Sequence, residues 1–148
     1  MSRQYQVTPM VRFANGIIVF LLRRGVKMPG MALLTVRGRK SGKPYSVPVE
    51  PMELDGQRWL VSPYGETNWV RNARVSGTVA LSSTGHTETL RLHEVDARAA
   101  APVLRLYLSQ VPIVRPYFDA GPDSPDETLA AEAPRHPVFR IEAEAWGA

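Results

Sequence analysis

The chain has 148 residues, of which 44% are hydrophobic and 22% charged, and its formal net charge is +4 at neutral pH. This composition is that of a globular protein, and the length predicts a single domain over residues 1–148. The chain contains no cysteine, which excludes disulfides, thiolate metal sites and a cysteine nucleophile and agrees with a cytoplasmic location.

A mainly apolar run, residues 10–22, follows Thr8 and Pro9 near the start of the chain. Thr-Pro is typical of a helix start, so residues 1–28 are predicted to be a helical segment. The run is shorter than the roughly twenty residues that span a bilayer, which argues against a transmembrane helix. Two arrangements remain open: a helix packed across the rest of the fold, or a peripheral membrane contact through residues 10–27.

Two strand-like runs, residues 31–36 and 45–52, flank a turn that we call the basic turn, residues 37–43. Its glycines, Gly38 and Gly42, can adopt positive φ and so expose backbone N–H groups beside four cations. Such a turn suits a phosphate or a polycarboxylate. A solvated hairpin tip that happens to be basic is the alternative interpretation.

Turn residues and hydrophobic alternation predict the remaining elements. These are a hairpin at Asp55-Gly56, a strand at 58–62, a helix at 69–75, strands at 78–82 and 86–95 that form a second hairpin across Ser83-Thr84-Gly85, a helix at 102–110 and a last strand around Phe139 and Ile141. Residues 112–137 are rich in Pro, Asp, Ala and Glu, which predicts an irregular, mobile loop. The pattern predicts a mostly β (α+β) domain, a small barrel of about six mainly antiparallel strands with an N-terminal helix and two shorter helices.

Several signatures of catalysis or metal binding are missing from the sequence. The basic turn is not a phosphate-binding P-loop, because three residues separate its glycines and Pro44 follows its last lysine. The histidines, His86, His93 and His136, lack metal-ligand spacing, so no metal site is predicted.

Carboxylates and cations elsewhere give no further site. Glu50, Glu53 and Asp55 flank a hairpin and are interpreted as a solvated turn. The basic residues form local clusters without an interleaved aromatic series, which argues against nucleic-acid binding. An enzyme built on this chain therefore needs a cofactor as its source of reactivity.

An ordered set of segments carries a family resemblance: residues 33–44, Asp55-Gly56, residues 59–65 and residues 69–72. Together they resemble the deazaflavin-dependent nitroreductase/quinone reductase family, a branch of the split β-barrel flavoprotein superfamily that uses coenzyme F420. The resemblance is strong over residues 29–80 and weaker towards the last strand. It implies a split β-barrel that binds F420.

The resemblance also implies which residues hold the cofactor. The acidic tail would lie on Arg39, Lys40, Ser41 and Lys43, with secondary contacts from Arg71 and Asn72. The ring would lie in a slot formed by Ser46, Val47, Pro48, Val61, Ser62, Pro63, Tyr64 and Gly65. Because Pro48 lacks an N–H, we expect a gap in strand pairing there. Trp69 is expected either to pack on the ring or to anchor the core.

The implied reaction is hydride transfer from F420H2 to a lipophilic, electron-poor small molecule such as a quinone, an enone or a nitro compound. Tyr107, Tyr117 and Phe118 are the expected substrate wall, and Tyr117 either donates a proton to the product or only packs the loop. An FMN-binding oxidoreductase and a non-catalytic lipid- or fatty-acid-binding barrel are the alternatives. Tyr45 and Tyr64 stand where many family members carry cations, which leaves the acceptor unassigned.

Overall fold

Seven strands form one antiparallel sheet with the order β2-β1-β5-β6-β7-β4-β3. The computed structural model describes residues 9–24 and 30–143, with the backbone alone over 9–14; the rest of the predicted segment 1–28 lies outside the described residues. The strands are β1 Ala32–Arg37, β2 Pro44–Val49, β3 Met52–Leu54, β4 Gln57–Val61, β5 Thr78–Ser83, β6 His86–Glu94 and β7 Val138–Ala143. The helices are α1 Pro9–Arg23, α2 Asn68–Ser76, α3 Ala97–Gln110 and α4 Asp126–Ala130, with a 3₁₀ helix at Pro112–Tyr117.

The two edge strands of the sheet, β2 and β3, are consecutive in the chain. Only Glu50 and Pro51 connect the end of β2 at Val49 to the start of β3 at Met52. Three Cα–Cα steps span at most about 11 Å, so the two edges of the sheet must come close together at this point. The sheet is therefore curled into a split barrel, as predicted, although it has seven strands where about six were expected.

Two tight turns fix the hairpin registers at the positions that the sequence predicted. Asp55 and Gly56 have φ values of 55° and 73°, and Thr84 and Gly85 have values of 48° and 77°. Positive φ at both central residues is the twist-matched geometry of two-residue hairpins. Both hairpin predictions are confirmed.

The core has two parts. The first lies between the strands and α2; its members include Leu34, Leu60, Val70, Leu90 and Phe139. The second lies where α3, the 3₁₀ helix and α4 cover β3, β4 and β7; its members include Met52, Leu104, Leu108, Leu129 and Val138.

The prediction of an irregular loop over residues 112–137 is wrong for much of that segment. It contains the 3₁₀ helix and α4, and Leu129 and Glu132 are fully buried. Glu132 accepts hydrogen bonds from the backbone N–H groups of Asp119 and Ala120 at 2.6 and 2.7 Å. Local composition could not reveal this, because the order comes from packing on α3 and from a buried carboxylate bridging distant residues.

Helix α1 lies against β1 and β2 and keeps part of its apolar face outward. Leu22 is buried, and Arg23 donates a hydrogen bond to Ser46 Oγ at 3.3 Å. Ile17 and Phe20 are 45% and 55% exposed. Within the described residues, no helix combines the length and apolar character that crossing a bilayer requires.

Candidate cofactor site

The basic turn is fastened to α2 by one buried amide. Asn72 Oδ1 accepts a hydrogen bond from the backbone N–H of Arg39 at 3.0 Å and another from Arg39 Nη1 at 2.8 Å. Within the turn, Gly38 N donates to Lys43 O at 2.7 Å and Lys43 N donates to Ser41 Oγ at 3.2 Å. The turn is thus held in one shape by contacts that a free hairpin tip would lack.

The two glycines of the turn have different roles. Gly42 has φ of 72°, as predicted, whereas Gly38 lies outside the positive-φ region, so that part of the prediction is wrong. A Cβ at Gly38 would lie 2.7 Å from the Tyr45 ring and 2.9 Å from Ser41 Oγ. Gly38 is therefore required for close approach. The aromatic ring of Tyr45 therefore covers the turn at Gly38, at a position where the resemblance implies a cation.

Exposed donors remain on the outer side of the turn. In the described part of the chain, the backbone N–H groups of Lys40 and Ser41 have no hydrogen-bond acceptor. No carboxylate among those residues forms an ion pair with Lys40, Lys43 or Arg71, all of which are exposed. Unpaired cations beside unsatisfied amides form a site that attracts a polyanion.

Asn72, which the sequence predicts as a secondary contact of the acidic tail, instead holds the basic turn. Its side chain is buried and its oxygen is occupied by Arg39, so it braces the turn. Arg71, on the preceding residue of α2, points to solvent and stays a predicted anion contact.

The predicted ring loop, residues 62–65, joins the end of β4 to the start of α2. Ser62 is fully buried; its N–H donates to Pro137 O at 2.9 Å and its Oγ donates to Gly65 O at 2.5 Å. Gly65 has φ of 92°, and a Cβ there would lie 3.4 Å from Arg135 O. Helix α2 links the two features, because it begins at Asn68, shortly after the loop, and carries Asn72, which holds the basic turn.

The predicted residues of β2 lie on an edge strand that is continuous through Pro48. Leu33 pairs with Pro48 in the β1–β2 register, so the prediction of a gap in strand pairing at Pro48 is wrong. An edge strand tolerates proline because its outer side has no partner strand and needs no backbone N–H there. The Ser46 hydroxyl forms hydrogen bonds with Thr35 Oγ1 at 2.9 Å and with Arg23 of α1 at 3.3 Å. Val47 packs on the first core. Trp69 also packs there, with its ring 5.6 Å from that of Phe139.

The predicted substrate wall is brought together only in part. Tyr117 packs edge-on against Tyr64, with ring centroids 5.1 Å apart, which joins it to the ring loop. Phe118 is buried and stacks on His136 at 3.7 Å. Tyr107 is only 4% exposed and lies in the second core. Burial raises the pKa of Tyr107 well above its ordinary value, with the nearby charges of Glu50 and Tyr64 acting in the same direction.

Three titratable residues, Glu50, Glu132 and His136, are more buried than the sequence predicts. Glu50, interpreted as solvated, is half-buried, and that burial raises its pKa. Glu132 and His136 are buried, and His136 contacts the ring loop at Pro63. The spacing of four residues between Glu132 and His136, with Arg135 between them, is typical of one helical face and could have indicated a pair.

Two shallow grooves lie elsewhere on the described surface. One, of about 370 Å³, lies beside Pro51, Arg58, His86 and Glu88. The other, of about 470 Å³, lies between the Asp55 turn and α3. Neither is lined by the basic turn or the ring loop, and both lack the unpaired cations found there. We therefore place the candidate site at the turn on chemical grounds.

The curled seven-stranded antiparallel sheet defines a protein of the split-barrel class. The family described as F420H(2)-dependent quinone reductase matches residues 5–116, and the chain belongs to it. Its cofactor is accordingly F420H2. Comparison with curated proteins gives no match.

Solved structures share the fold at low sequence identity. An F420-H2 dependent reductase, FDR-A, is 20% identical, with a TM-score of 0.55 over 77% of this chain and 95% of its own. A protein of unknown function from Agrobacterium tumefaciens is 18% identical, with a TM-score of 0.58 over 94% of this chain and 58% of its own. A nimC/nimA family protein from Clostridium acetobutylicum is 16% identical, with a TM-score of 0.52 over 86% of this chain and 81% of its own. These likenesses concern the fold alone.

The residues present fit an F420 molecule. The cofactor has an acidic tail, and the turn offers Lys40, Lys43 and two unsatisfied amides on its outer side. The cofactor has a flat ring, and the loop at 62–65 offers a braced backbone beside an aromatic pair. Tyr45 and Tyr64 reduce the number of cations but leave this donor set intact.

Proposed function

We propose that the protein passes a hydride from F420H2 to a lipophilic, electron-poor small molecule, for which a quinone, an enone or a nitro compound would qualify. The bound cofactor supplies the hydride, and the protein supplies binding, orientation and exclusion of water. The observation that supports this most strongly is the geometry of the basic turn. Asn72 holds Arg39 in place by two hydrogen bonds, while Lys40 and Lys43 form no ion pair with a carboxylate among the described residues.

Each part of the site has a separate task in this proposal. The basic turn and Arg71 bind the acidic tail. The backbone of residues 62–65 orients the ring edge, because its own hydrogen bonds to Pro137 and within the loop keep it rigid. Charge and shape are thus fixed before the cofactor arrives, which lowers the entropic cost of binding.

The acceptor side of the proposal rests on aromatic residues. Tyr64 is 38% exposed and its edge-on partner Tyr117 is half-buried, so the pair gives an apolar surface with hydroxyl groups at the ring loop. Such a surface suits a flat, lipophilic acceptor. A Tyr117 hydroxyl near the reduced product could then supply the proton that a quinol oxygen takes up.

The proposal is tested by mixing the protein with F420H2 and, separately, a quinone, an enone and a nitroarene, and following oxidation of the cofactor. We expect turnover with at least one acceptor, and stronger binding of F420 than of FMN in a fluorescence titration. Tight FMN binding without a response to F420 would favour a flavin enzyme. A retained lipid with no turnover would favour a lipid-binding barrel. Either result would overturn the proposal.

We also propose that α1 makes a peripheral contact with an anionic membrane. Ile17 and Phe20 are exposed on the helix, and Arg24 lies 4.7 Å over the Phe20 ring. Exposed apolar side chains flanked by cations favour the headgroup region of a bilayer. Such a contact would bring the site close to lipid-soluble acceptors.

A further inference from the structure

The ring loop is held from behind by the chain segment that precedes β7. Ser62 N–H donates to Pro137 O at 2.9 Å, and His136 Nδ1 lies 2.8 Å from Pro63 O. Two consecutive loop residues are thus fastened to two consecutive residues of the same segment. Displacing His136 would release the middle of the loop.

His136 is in turn held by a buried carboxylate. Glu132 is 1% exposed, and its Oε1 accepts the N–H groups of Asp119 and Ala120. Its Oε2 lies 3.1 Å from Arg135 Nη2 and 3.2 Å from His136 Nε2. A carboxylate that accepts three N–H groups is strongly fixed in position.

The same ring also contacts the segment that carries the predicted substrate wall. Phe118 stacks on His136 with centroids 3.7 Å apart, and the Tyr117 carbonyl faces the imidazole. Tyr117 itself packs against Tyr64 of the ring loop. The imidazole therefore lies between the loop on one side and residues 117–118 on the other.

The hydrogen bonds fix the tautomer of this histidine. A carbonyl oxygen can only accept, so Nδ1 must carry the proton that is shared with Pro63. Nε2 is buried and makes no well-aligned hydrogen bond, although it lies 3.2 Å from the Glu132 carboxylate. Nδ1 is thus committed to Pro63 O and Nε2 is buried away from solvent, which makes the residue a brace and leaves it no role in touching substrate.

We propose that His136, seated on Glu132, is a positioning residue that sets the relation between the ring loop, residues 62–65, and the Tyr117–Phe118 wall. This inference rests on the proposed function for its effect on cofactor and acceptor. Its structural part, the positioning of the loop, can be tested with no cofactor present.

Two variants separate the two nitrogens. In His136→Asn the amide nitrogen lies near the place of Nδ1 and can still donate to Pro63 O; in His136→Gln it lies near the place of Nε2 and cannot. Both variants lose the stack on Phe118. If His136 contributed only to overall stability, the two variants would change loop exchange and ligand binding to a similar extent. The positioning role requires His136→Gln to change these quantities more than His136→Asn does.

The first readout is amide hydrogen exchange without cofactor. We expect the Ser62 amide to exchange about tenfold faster in His136→Gln than in His136→Asn, because loss of one hydrogen bond at the loop is worth roughly a factor of ten. Equal exchange at Ser62 in the two variants would overturn the proposal. This outcome does not depend on whether the protein binds F420.

The second readout is the F420 dissociation constant and the KM for the acceptor. We expect both to rise about tenfold in His136→Gln and less than threefold in His136→Asn, at similar melting temperatures. A wild-type protein that does not bind F420 would refute the proposed function and leave the exchange result to decide the positioning role. Losses that simply follow the melting temperature would overturn the positioning role.

A third readout uses the wild-type protein, in case His136→Gln does not fold. Nitrogen chemical shifts of the imidazole distinguish the two neutral tautomers. We expect the Nδ1–H form at neutral pH, and an Nε2–H form would contradict the brace because Pro63 O would then have no donor.

Discussion

Asn72 accepts two hydrogen bonds from one residue, Arg39, through its backbone N–H and its guanidinium. One buried amide on α2 thereby fixes both the path of the basic turn and the direction of its first cation. A solvated basic hairpin tip would need no buried partner, so this contact supports our proposal that the turn is a preformed anion site.

Removing this amide should loosen the turn. We expect Asn72→Ala to lower the free energy of unfolding by about 1–3 kcal/mol, because Arg39 N–H loses its acceptor, and to weaken F420 binding. Urea unfolding and a fluorescence titration measure the two effects. Asn68→Ala, an exposed change on the same helix, is the control and should stay within about 0.5 kcal/mol. Undiminished F420 affinity in Asn72→Ala would contradict the role given to this contact.

The unpaired cations should carry much of the affinity for the acidic tail. We expect Lys40→Ala with Lys43→Ala to raise the F420 dissociation constant about tenfold or more, with little change in melting temperature, since both residues are exposed on a turn. Arg91→Ala with Arg98→Ala removes the same charge from distant exposed positions and should change the constant much less. Equal losses in the two double variants would indicate a general effect of net charge.

Local sequence signals predicted the hairpins and the basic turn because their causes are local. Asp55-Gly56 has the chemistry of a two-residue turn, and the cations of the basic turn stand next to each other in the chain. The edge position of β2 and the separate strand β3 could not be predicted in this way. They follow from the two-residue connection that joins opposite edges of a curled sheet, which is a property of the whole topology.

The exposed cations of the candidate site could be named from the sequence, whereas the burial of the residues behind them could not. Asn72, Tyr107 and Phe118 have side chains whose types suit a ligand, but the structure buries all three. Glu132 and His136 belong to a segment whose composition indicates a loop. Only the long-range contacts to residues 119–120 and to Pro63 show that they brace the site.

A cavity variant tests whether residues 112–137 are packed. Leu129 is fully buried in the second core, so Leu129→Ala should lower the free energy of unfolding by about 2–5 kcal/mol. The neighbouring Thr128 is exposed, and Thr128→Ala should change it by no more than about 0.5 kcal/mol. A mobile loop would instead give small and similar values for both variants in urea unfolding.

The state of His136 should make stability depend on pH. Burial lowers the pKa of His136 below its ordinary value, although the Glu132 carboxylate and the carbonyl groups of Pro63 and Tyr117 act in the opposite direction. The unfolded chain therefore binds this proton more readily than the folded one, and stability falls as the pH drops below about 6.5.

His136→Asn lacks this titration, while the carboxylates that do not contact position 136 contribute equally in both proteins. The stability difference between wild type and His136→Asn, measured by urea unfolding, should therefore shrink between pH 8 and pH 5. A difference that stays constant or widens on acidification would contradict the lowered pKa. The groups that face the ring, Glu132 and Arg135, are retained in both proteins.

The proposed membrane contact predicts a lipid dependence that is separate from cofactor binding. Phe20→Ser should reduce co-sedimentation with anionic vesicles severalfold, since an exposed aromatic side chain supplies much of the buried apolar area. Val75→Ser, which alters another exposed apolar residue away from α1, is the matched control. Equal binding of wild type and Phe20→Ser would show that α1 does not provide the contact.

The location of the cofactor is the central claim, and amide chemical-shift mapping during an F420 titration tests it most directly. We predict that the largest shifts occur at Lys40 and Ser41 in the basic turn and at residues 62–65, and that added salt weakens the titration. Shifts confined to the groove beside Arg58, His86 and Glu88, with the basic turn unchanged, would contradict the account.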